Sequence, residues 1–461
     1  MKQGFSRRSF LRRSASTSAA FTLGGTALMH LGSAVHAQPR EGYKAIVCVL
    51  LAGGADSFNM LVPTDADGYA NYATVRSDLA LAQGSLAPLA GVHQGGRSFG
   101  LHESLAPVAP LFDAGELAWV VNAGSLAEPT TPEAIRSGTA RLPLGLYSHS
   151  DQIEQWQTSL ADVRSSAGVG GRIADLLGDV NPGSPVSMNL STAGTNLFQS
   201  GALSREFSID PAQGGAPIAA GYGEGEEGES IIRPAVDAIL AQERANLLRH
   251  AYGGRFASAL ADGEFFNEAV SEAPVFATPF ADDSFSQQLA LIARVIASRN
   301  ALAASRQTFF VTVGGWDHHD GLLEKQAGML SSISAGLTSF RDAMVQLGTH
   351  ADVTTFTISD FGRTLTSNGR GSDHGWGGNQ LVMGGAVNGG ALYGAFPELA
   401  LGAPLDTGRG RFLPTTSVDE FYAELVLWFG LAPSDLSLVI PNIGRFYTPG
   451  GAPPLGFMAH S

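Results

Sequence analysis

Four segments of this sequence carry carboxylates and imidazoles in or beside a glycine-bearing turn: Gly53-Gly54-Ala55-Asp56, Gly314-Gly315-Trp316-Asp317-His318-His319, Ser359-Asp360-Phe361-Gly362-Arg363 and Ser372-Asp373-His374-Gly375. Drawn to one place, Asp56, Asp317, His319, Asp360, Asp373 and His374 would set carboxylates and imidazoles too close together to stay ionised without cations. A divalent metal site resolves that conflict. The donors are oxygen and nitrogen, so zinc, manganese, magnesium and calcium all remain open. Each residue taken alone has a plainer role, because an Asp at a strand end caps a turn or helix and a lone His is usually a hydrogen-bonded structural residue. Arg363, directly after the Asp360 turn, is either a bidentate clamp for a phosphate or sulfate oxygen or the ion-pair partner of Asp360.

The elements that must position these groups are legible as apolar runs. Residues 44–52 (KAIVCVLLA) form a continuous aliphatic stretch bounded by Gly53-Gly54, which suits a strand buried on both faces. Residues 117–122, 186–190, 308–313 and 353–358 read as further short strands. Between them lie segments of helical period. Over 323–347, Leu330, Ile333, Leu337, Phe340, Met344 and Leu347 recur at steps of three and four. Ser417-Val418-Asp419-Glu420 has the form of a capping box ahead of an apolar run ending at Leu431. Strands alternating with helices predict an α/β fold, a three-layer sandwich with a mostly parallel central sheet, whose chemistry gathers at the carboxyl ends of the strands. The stretch 200–228, rich in Gly, Ala and Glu, reads as an insertion or mobile surface loop.

The bulk composition narrows the function. With 461 residues and 44% hydrophobic content the chain can bury a large core. Its formal charge of −14 repels phosphate backbones, so nucleic acid is excluded as a partner. The single cysteine, Cys48, can make neither an intrachain disulfide nor a thiolate zinc site. At the amino end, Ser6-Arg7-Arg8-Ser9-Phe10-Leu11-Arg12, an apolar small-residue run from Ala19 to Leu31 and Val35-His36-Ala37 match a twin-arginine export signal. The run is too short and glycine-broken to span a bilayer, so residues 1–37 are expected to be removed, leaving 38–461 as one α/β domain with no stable membrane span. The mature chain would carry 23 basic against 42 acidic residues, would be handled by the twin-arginine machinery and would reside in the periplasm or outside the cell. Two strings look like motifs and lack the context. Gly96-Arg97-Ser98-Phe99-Gly100 fits a nucleophile elbow but follows no buried strand, and Gly223, Gly225 and Gly228 are interleaved with glutamates that would repel a pyrophosphate.

The order of the twin-arginine leader, LLAGGADSFNMLVP (50–63), LHESLAPVAPLFDAGELAWVVNAG (101–124), EPTT (128–131), LYSHSDQIEQWQ (146–157), GGWDHH (314–319), SDFGRTLTSNG (359–369) and DHGWGGNQLVMGGAVNGG (373–390) resembles the exported family called domain of unknown function 1501. That family is grouped with the alkaline phosphatase and sulfatase superfamily. The resemblance implies a phosphatase-like α/β sandwich, two metal ions and a hydroxyl or formylglycine nucleophile. Within it Asp56 looks like the first-strand metal ligand, Asp317 and His319 like the next carboxylate and imidazole, and Asp373-His374 like the Asp-His pair, with Asp360 between them. A third imidazole, usual in that metal shell, falls to His149, His102 or His318. The sulfatase C-x-P-x-R signature is absent and Cys48 lies inside a strand, which disfavours formylglycine. For a hydroxyl nucleophile the family position corresponds to Thr131, also a natural N-cap before Pro132. Ser148, beside His149, is the rival, since a neighbouring His can activate a serine. The implied function is a periplasmic metal-dependent hydrolase acting on a small-molecule or glycan ester of phosphate or sulfate. The alternative is a catalytically silent relative that binds an envelope glycan or a partner protein, and a serine hydrolase using Ser98 or Ser148 is a third reading.

Overall fold

The structure is a computed structural model that describes residues 42–218, 222, 232–242 and 246–459. The leader at 1–37, the glycines at 223, 225 and 228 and the end of the 200–228 stretch lie outside the described residues.

A nine-stranded sheet organises the chain. Its strands are β1 (Lys44–Ala52), β2 (Leu117–Gly124), β3 (Asn189–Ser191), β4 (Phe207–Ser208), β5 (Arg306–Gly314), β6 (Val353–Ser359), β7 (Gly378–Met383), β8 (Leu392–Tyr393) and β9 (Thr416–Ser417). They lie in the order β8-β2-β7-β6-β1-β5-β3-β4, with β9 also paired to β2. β1 runs parallel to β5 from Lys44↔Arg306 to Ala52↔Gly314, and parallel to β6 from Ala45↔Val353 to Leu51↔Ser359. Three strands therefore end side by side, and the turns after Ala52, Gly314 and Ser359 leave from one edge. The α/β expectation holds with one exception. β7 is antiparallel to both β2 and β6, because the chain returns into the sheet directly from the Asp373-His374 segment without a crossover helix. The 200–228 stretch is not loop throughout, since it supplies the edge strand β4.

Alternation along β1 shows why both sheet faces are covered. Ala45, Val47, Val49 and Leu51 enter one apolar cluster, and Ile46, Cys48 and Leu50 enter the other. The first face is covered by α5 (Ser284–Ala297) and α6 (Leu322–Gln346), whose Leu330, Ile333, Leu337, Phe340 and Met344 are all buried. The second is covered by α3 (His149–Thr158), α4 (Val169–Leu176) and α7 (Val418–Phe429) through Trp156, Ile173, Phe421 and Tyr422. Each such side chain contributes roughly 1.5–3 kcal/mol on leaving water. The capping box at Ser417 forms as the sequence predicts, with the Ser417 side chain on the Glu420 amide and Glu420 returning to the cap. Two further helices matter to the site, α1 (Ala66–Arg76) and α2 (Pro132–Ser137). Among the described residues no helix is long and apolar enough to cross a membrane.

Candidate metal centre

The edge where β1, β5 and β6 end is where the predicted residues meet. Close passage of the turns depends on glycine: Gly53 has φ +125°, and a Cβ there would lie 2.5 Å from the Asp317 amide nitrogen. Asp317 is the centre of the arrangement. Its Oδ1 lies 3.0 Å from His319 Nε2 and 3.4 Å from His374 Nε2, and its Oδ2 lies 3.5 Å from His149 Nε2. His319 Nε2 and His374 Nε2 are themselves 3.0 Å apart. Asp317, His149 and His374 form a group whose ligand atoms all lie within 4.8 Å of one another.

Each imidazole is oriented from behind. His149 Nδ1 sits 2.6 Å from Asp360 Oδ2, His319 Nδ1 3.3 Å from Asp373 Oδ1, and His374 Nδ1 2.8 Å from the carbonyl oxygen of Tyr147. The Tyr147 carbonyl can only accept, so His374 Nδ1 carries the proton. Burial would raise the Asp373 carboxyl, but hydrogen bonds from Arg409 and Asn368 outweigh it and hold the group at about 2, so Asp373 is an ionised acceptor and His319 Nδ1 also donates. In the neutral form that a metal ion requires of its imidazole ligands, rings held this way would aim lone pairs, not hydrogens, through Nε2 at Asp317. Burial pushes the His374 pKa down, which opposes relief of the clash by protonating that ring. The Asp317 carboxyl is raised by burial but lowered further by its hydrogen bond with Arg363 and by the nearby imidazoles, and ends below its usual value. His149 Nε2 is buried and has no hydrogen-bond partner among the described residues.

Asp317 Oδ1, His319 Nε2 and His374 Nε2 are thus three acceptors 3.0–3.4 Å apart. Ligands about 2.0–2.1 Å from a tetrahedral cation stand roughly 3.3 Å from each other. Outer partners on every Nδ1 are the usual support of metal-bound imidazoles. The donor set fits one divalent ion. Phe361 packs against two of the rings, with centroids 4.8 Å from His149 and 4.6 Å from His374, and forms an apolar wall. Asp317 and His319 remain 42% and 45% exposed, so the centre is open to a ligand from solvent.

The other predicted residues fall into different places. Asp56 is 1% exposed and ion-paired with the fully buried Arg76 at the end of α1. Arg76 also donates to Asn59 Oδ1 at 3.0 Å and to the Thr364 carbonyl at 3.1 Å. Arg76 therefore pairs the carboxylate that the resemblance implies as a metal ligand, and among the described residues Asp56 joins no group of three donors close enough to hold an ion, although its Oδ1 is buried without a hydrogen-bond partner. Asp360 is buried beneath His149, its Oδ1 accepting from the Gly53 amide at 3.0 Å. Arg363 pairs with Asp317 (2.8 Å) and not with Asp360. Its remaining donors go to the Ser372 carbonyl, the Ser372 hydroxyl and the Gly53 carbonyl, so this fully buried side chain is a positioning residue and no oxyanion clamp. Of the three imidazoles left open, His149 joins the centre. His102 Nδ1 accepts from the Ser104 amide, and His318 is buried with neither ring nitrogen hydrogen-bonded among the described residues. Thr131 caps α2, its hydroxyl accepting from the Ala134 amide. Ser148 occupies the N-cap position of α3 and meets Ser150 Oγ at 3.2 Å. Ser98 precedes a short strand, Phe99–Leu101, and bonds Thr64 Oγ1, so no elbow exists there.

Similarity to known proteins is limited. The profile of the family described as "Protein of unknown function (DUF1501)" matches residues 268–436. That stretch carries Asp317, His319, Asp360, Arg363, Asp373 and His374; Asp56 and His149 lie outside it. No curated protein matches. Among solved structures, Ps i-CgsB is similar with 12% identity and a TM-score of 0.34, over 88% of this chain and 77% of that one. The PsFucS1 sulfatase from Pseudoalteromonas sp. shares 8% identity with a TM-score of 0.34, over 85% and 68%. The alkaline phosphatase from the Antarctic bacterium TAB5 shares 10% identity with a TM-score of 0.25, over 75% and 93%. Likenesses this weak do not decide a function.

Proposed function

We propose that this chain is a metal-dependent hydrolase of phosphate or sulfate esters that holds one divalent cation and works in the periplasm after twin-arginine export. The supporting observation is the close set of Asp317 Oδ1, His319 Nε2 and His374 Nε2, 3.0–3.4 Å apart, with each imidazole fixed through Nδ1. Asp317, His149, His319 and His374 would hold the ion. When bound, it supplies Lewis-acid polarisation of an ester oxygen and acidification of a hydroxyl or water. Asp360, Asp373 and the Tyr147 carbonyl keep the Nδ1 protons in place, Arg363 holds the Asp317 carboxylate in position, and Phe361 keeps water from one side of the rings. The substrate is a small-molecule or glycan ester, reaching the centre from its exposed side.

The test is metal analysis of protein purified without chelator, together with turnover of aryl phosphates and aryl sulfates. Asp317→Ala is expected to lose the ion and the turnover while keeping its circular dichroism. Metal-free protein that stays inactive with every added divalent ion refutes the proposal. A second reading, a silent relative that binds an envelope glycan or partner protein, draws on one observation: Thr131 and Ser148 both sit at helix N-cap positions. Metal bound at one equivalent without turnover of either ester class would favour it.

A further inference from the structure

The arginines around the centre differ in what they leave unspent. Arg363 is buried and committed on every side. Arg409 gives Nη2 to Asp373 Oδ2 at 2.6 Å. Arg411 is fixed only through Nε, which donates to the backbone carbonyl of His374 at 2.7 Å. Its guanidinium carbon stands 4.9 Å from the centroid of the Tyr147 ring, a cation–π contact. Among the described residues, Nη1 and Nη2 of Arg411 make no hydrogen bond and no ion pair. Unpaired, partly exposed guanidinium beside a metal centre is unexpected in a chain with 42 acidic and 28 basic residues.

Arg411 is also held in place before any ligand arrives. Asp406 Oδ1 accepts from the amides of Gly408 (2.8 Å) and Gly410 (2.9 Å), closing the loop that carries it. The Arg411 carbonyl accepts from the amide and hydroxyl of Thr407, both at 2.9 Å. Tyr147 serves both partners: its carbonyl fixes His374 Nδ1 while its ring carries Arg411, and it does so at φ +72°, a conformation rare outside glycine. Such strain persists only where the surroundings over-determine it.

We propose that Arg411 binds the oxyanion of the substrate, taking two oxygens of a tetrahedral phosphate or sulfate group on its Nη1/Nη2 edge beside His374. The planar fork matches that geometry bidentately, and Nε, already spent on His374, sets its orientation. The substrate is then an anionic ester, since a neutral ester would leave the fork without a partner. This rests on the ester-hydrolase reading above.

The experiment compares wild type, Arg411→Gln and Arg411→Lys, each loaded with zinc or manganese. Metal content is measured by mass spectrometry, and binding of inorganic phosphate and of sulfate by calorimetry, with kcat and KM for aryl phosphate and aryl sulfate. Arg411→Gln is expected to keep its metal and to bind the preferred oxyanion roughly 10- to 100-fold more weakly, with the loss in KM more than in kcat. Arg411→Lys, a point charge without the fork, is expected to recover only part of it. The arm that loses more, phosphate or sulfate, identifies the ester. Unchanged oxyanion affinity and KM in Arg411→Gln would overturn the proposal while leaving the hydrolase reading intact. Wild type that takes up metal but binds neither oxyanion would overturn both.

Discussion

Replacing Asp56 by Asn tests how many cations the protein holds. The Asp56 carboxylate and Arg76 guanidinium neutralise each other where neither is exposed, so the pair offers a divalent ion no net attraction. The guanidinium cancels the attraction, roughly 8 kcal/mol at an effective dielectric of about 20 and twice the figure for two unit charges, that an unpaired carboxylate would give an ion about 4 Å away. At about 1.4 kcal/mol per decade, that is between roughly five and six powers of ten in affinity. Moving Arg76 aside is no easier, because a buried cation that donates to Asn59 and the Thr364 carbonyl would be stranded. One equivalent of metal per chain is therefore expected by mass spectrometry and by calorimetric titration. Asp56→Asn, which keeps an acceptor for Arg76, is expected to retain that equivalent, whereas Asp317→Asn loses affinity by more than the roughly 10- to 100-fold typical of an outer partner. Two equivalents in wild type, or a folded Asp56→Asn protein without its ion, would refute the reasoning.

Asp360→Ala removes the acceptor that orients His149 and is expected to weaken metal binding about 10- to 100-fold, measured by competition with a chromogenic chelator; an unchanged affinity would place His149 outside the metal shell. The pH dependence of stability is expected to carry the mark of Asp419, whose carboxyl is pushed up to about 8 by burial against a smaller opposing hydrogen bond from Ser159. The folded protein keeps a proton that the unfolded chain releases above about pH 4, so this group costs stability as pH rises from about 4 to 8, by at most about 1.4 kcal/mol per unit. Urea titrations at pH 5 and pH 8 should show a smaller loss in Asp419→Asn than in wild type, and equal losses would show that Asp419 does not carry the effect.

Residue order alone exposed the parts of the fold whose signal is local. The run KAIVCVLLA became β1 at the residues expected, 44–52, because every position after Lys44 is apolar and Gly53 ends it. The stripe from Leu330 to Met344 became the buried face of α6 for the same reason. The strand expected at 186–190 lies at Asn189–Ser191, and before it the Ser187 hydroxyl accepts from the Asn189 amide and donates to the Arg205 carbonyl. β7 escaped notice inside a glycine-rich stretch, as nothing local marks a strand that re-enters antiparallel. At the centre, Asp317, His319 and His374 were visible as residue types on strand-end turns. The ring that completes them, His149, could be named only as one of three. Asp56 was misplaced because its partner, Arg76, lies on α1 and reads from sequence as an ordinary helix-end cation. Pairing across the fold, not spacing along the chain, decided both, and the same holds for Arg363 and Asp317.

β1 has a consequence for how the molecule is made. It is the first strand of the described chain, yet its neighbours in the sheet begin at Arg306 and Val353. Until those distant segments have been synthesised and closed around it, this strand has no lateral partner, and closing such long loops is slow. The cation-holding groups on the turns after β5 and β6 can come together only at that late step. Uptake of metal would then report that β1, β5 and β6 have paired, not the mere presence of the residues that hold the ion.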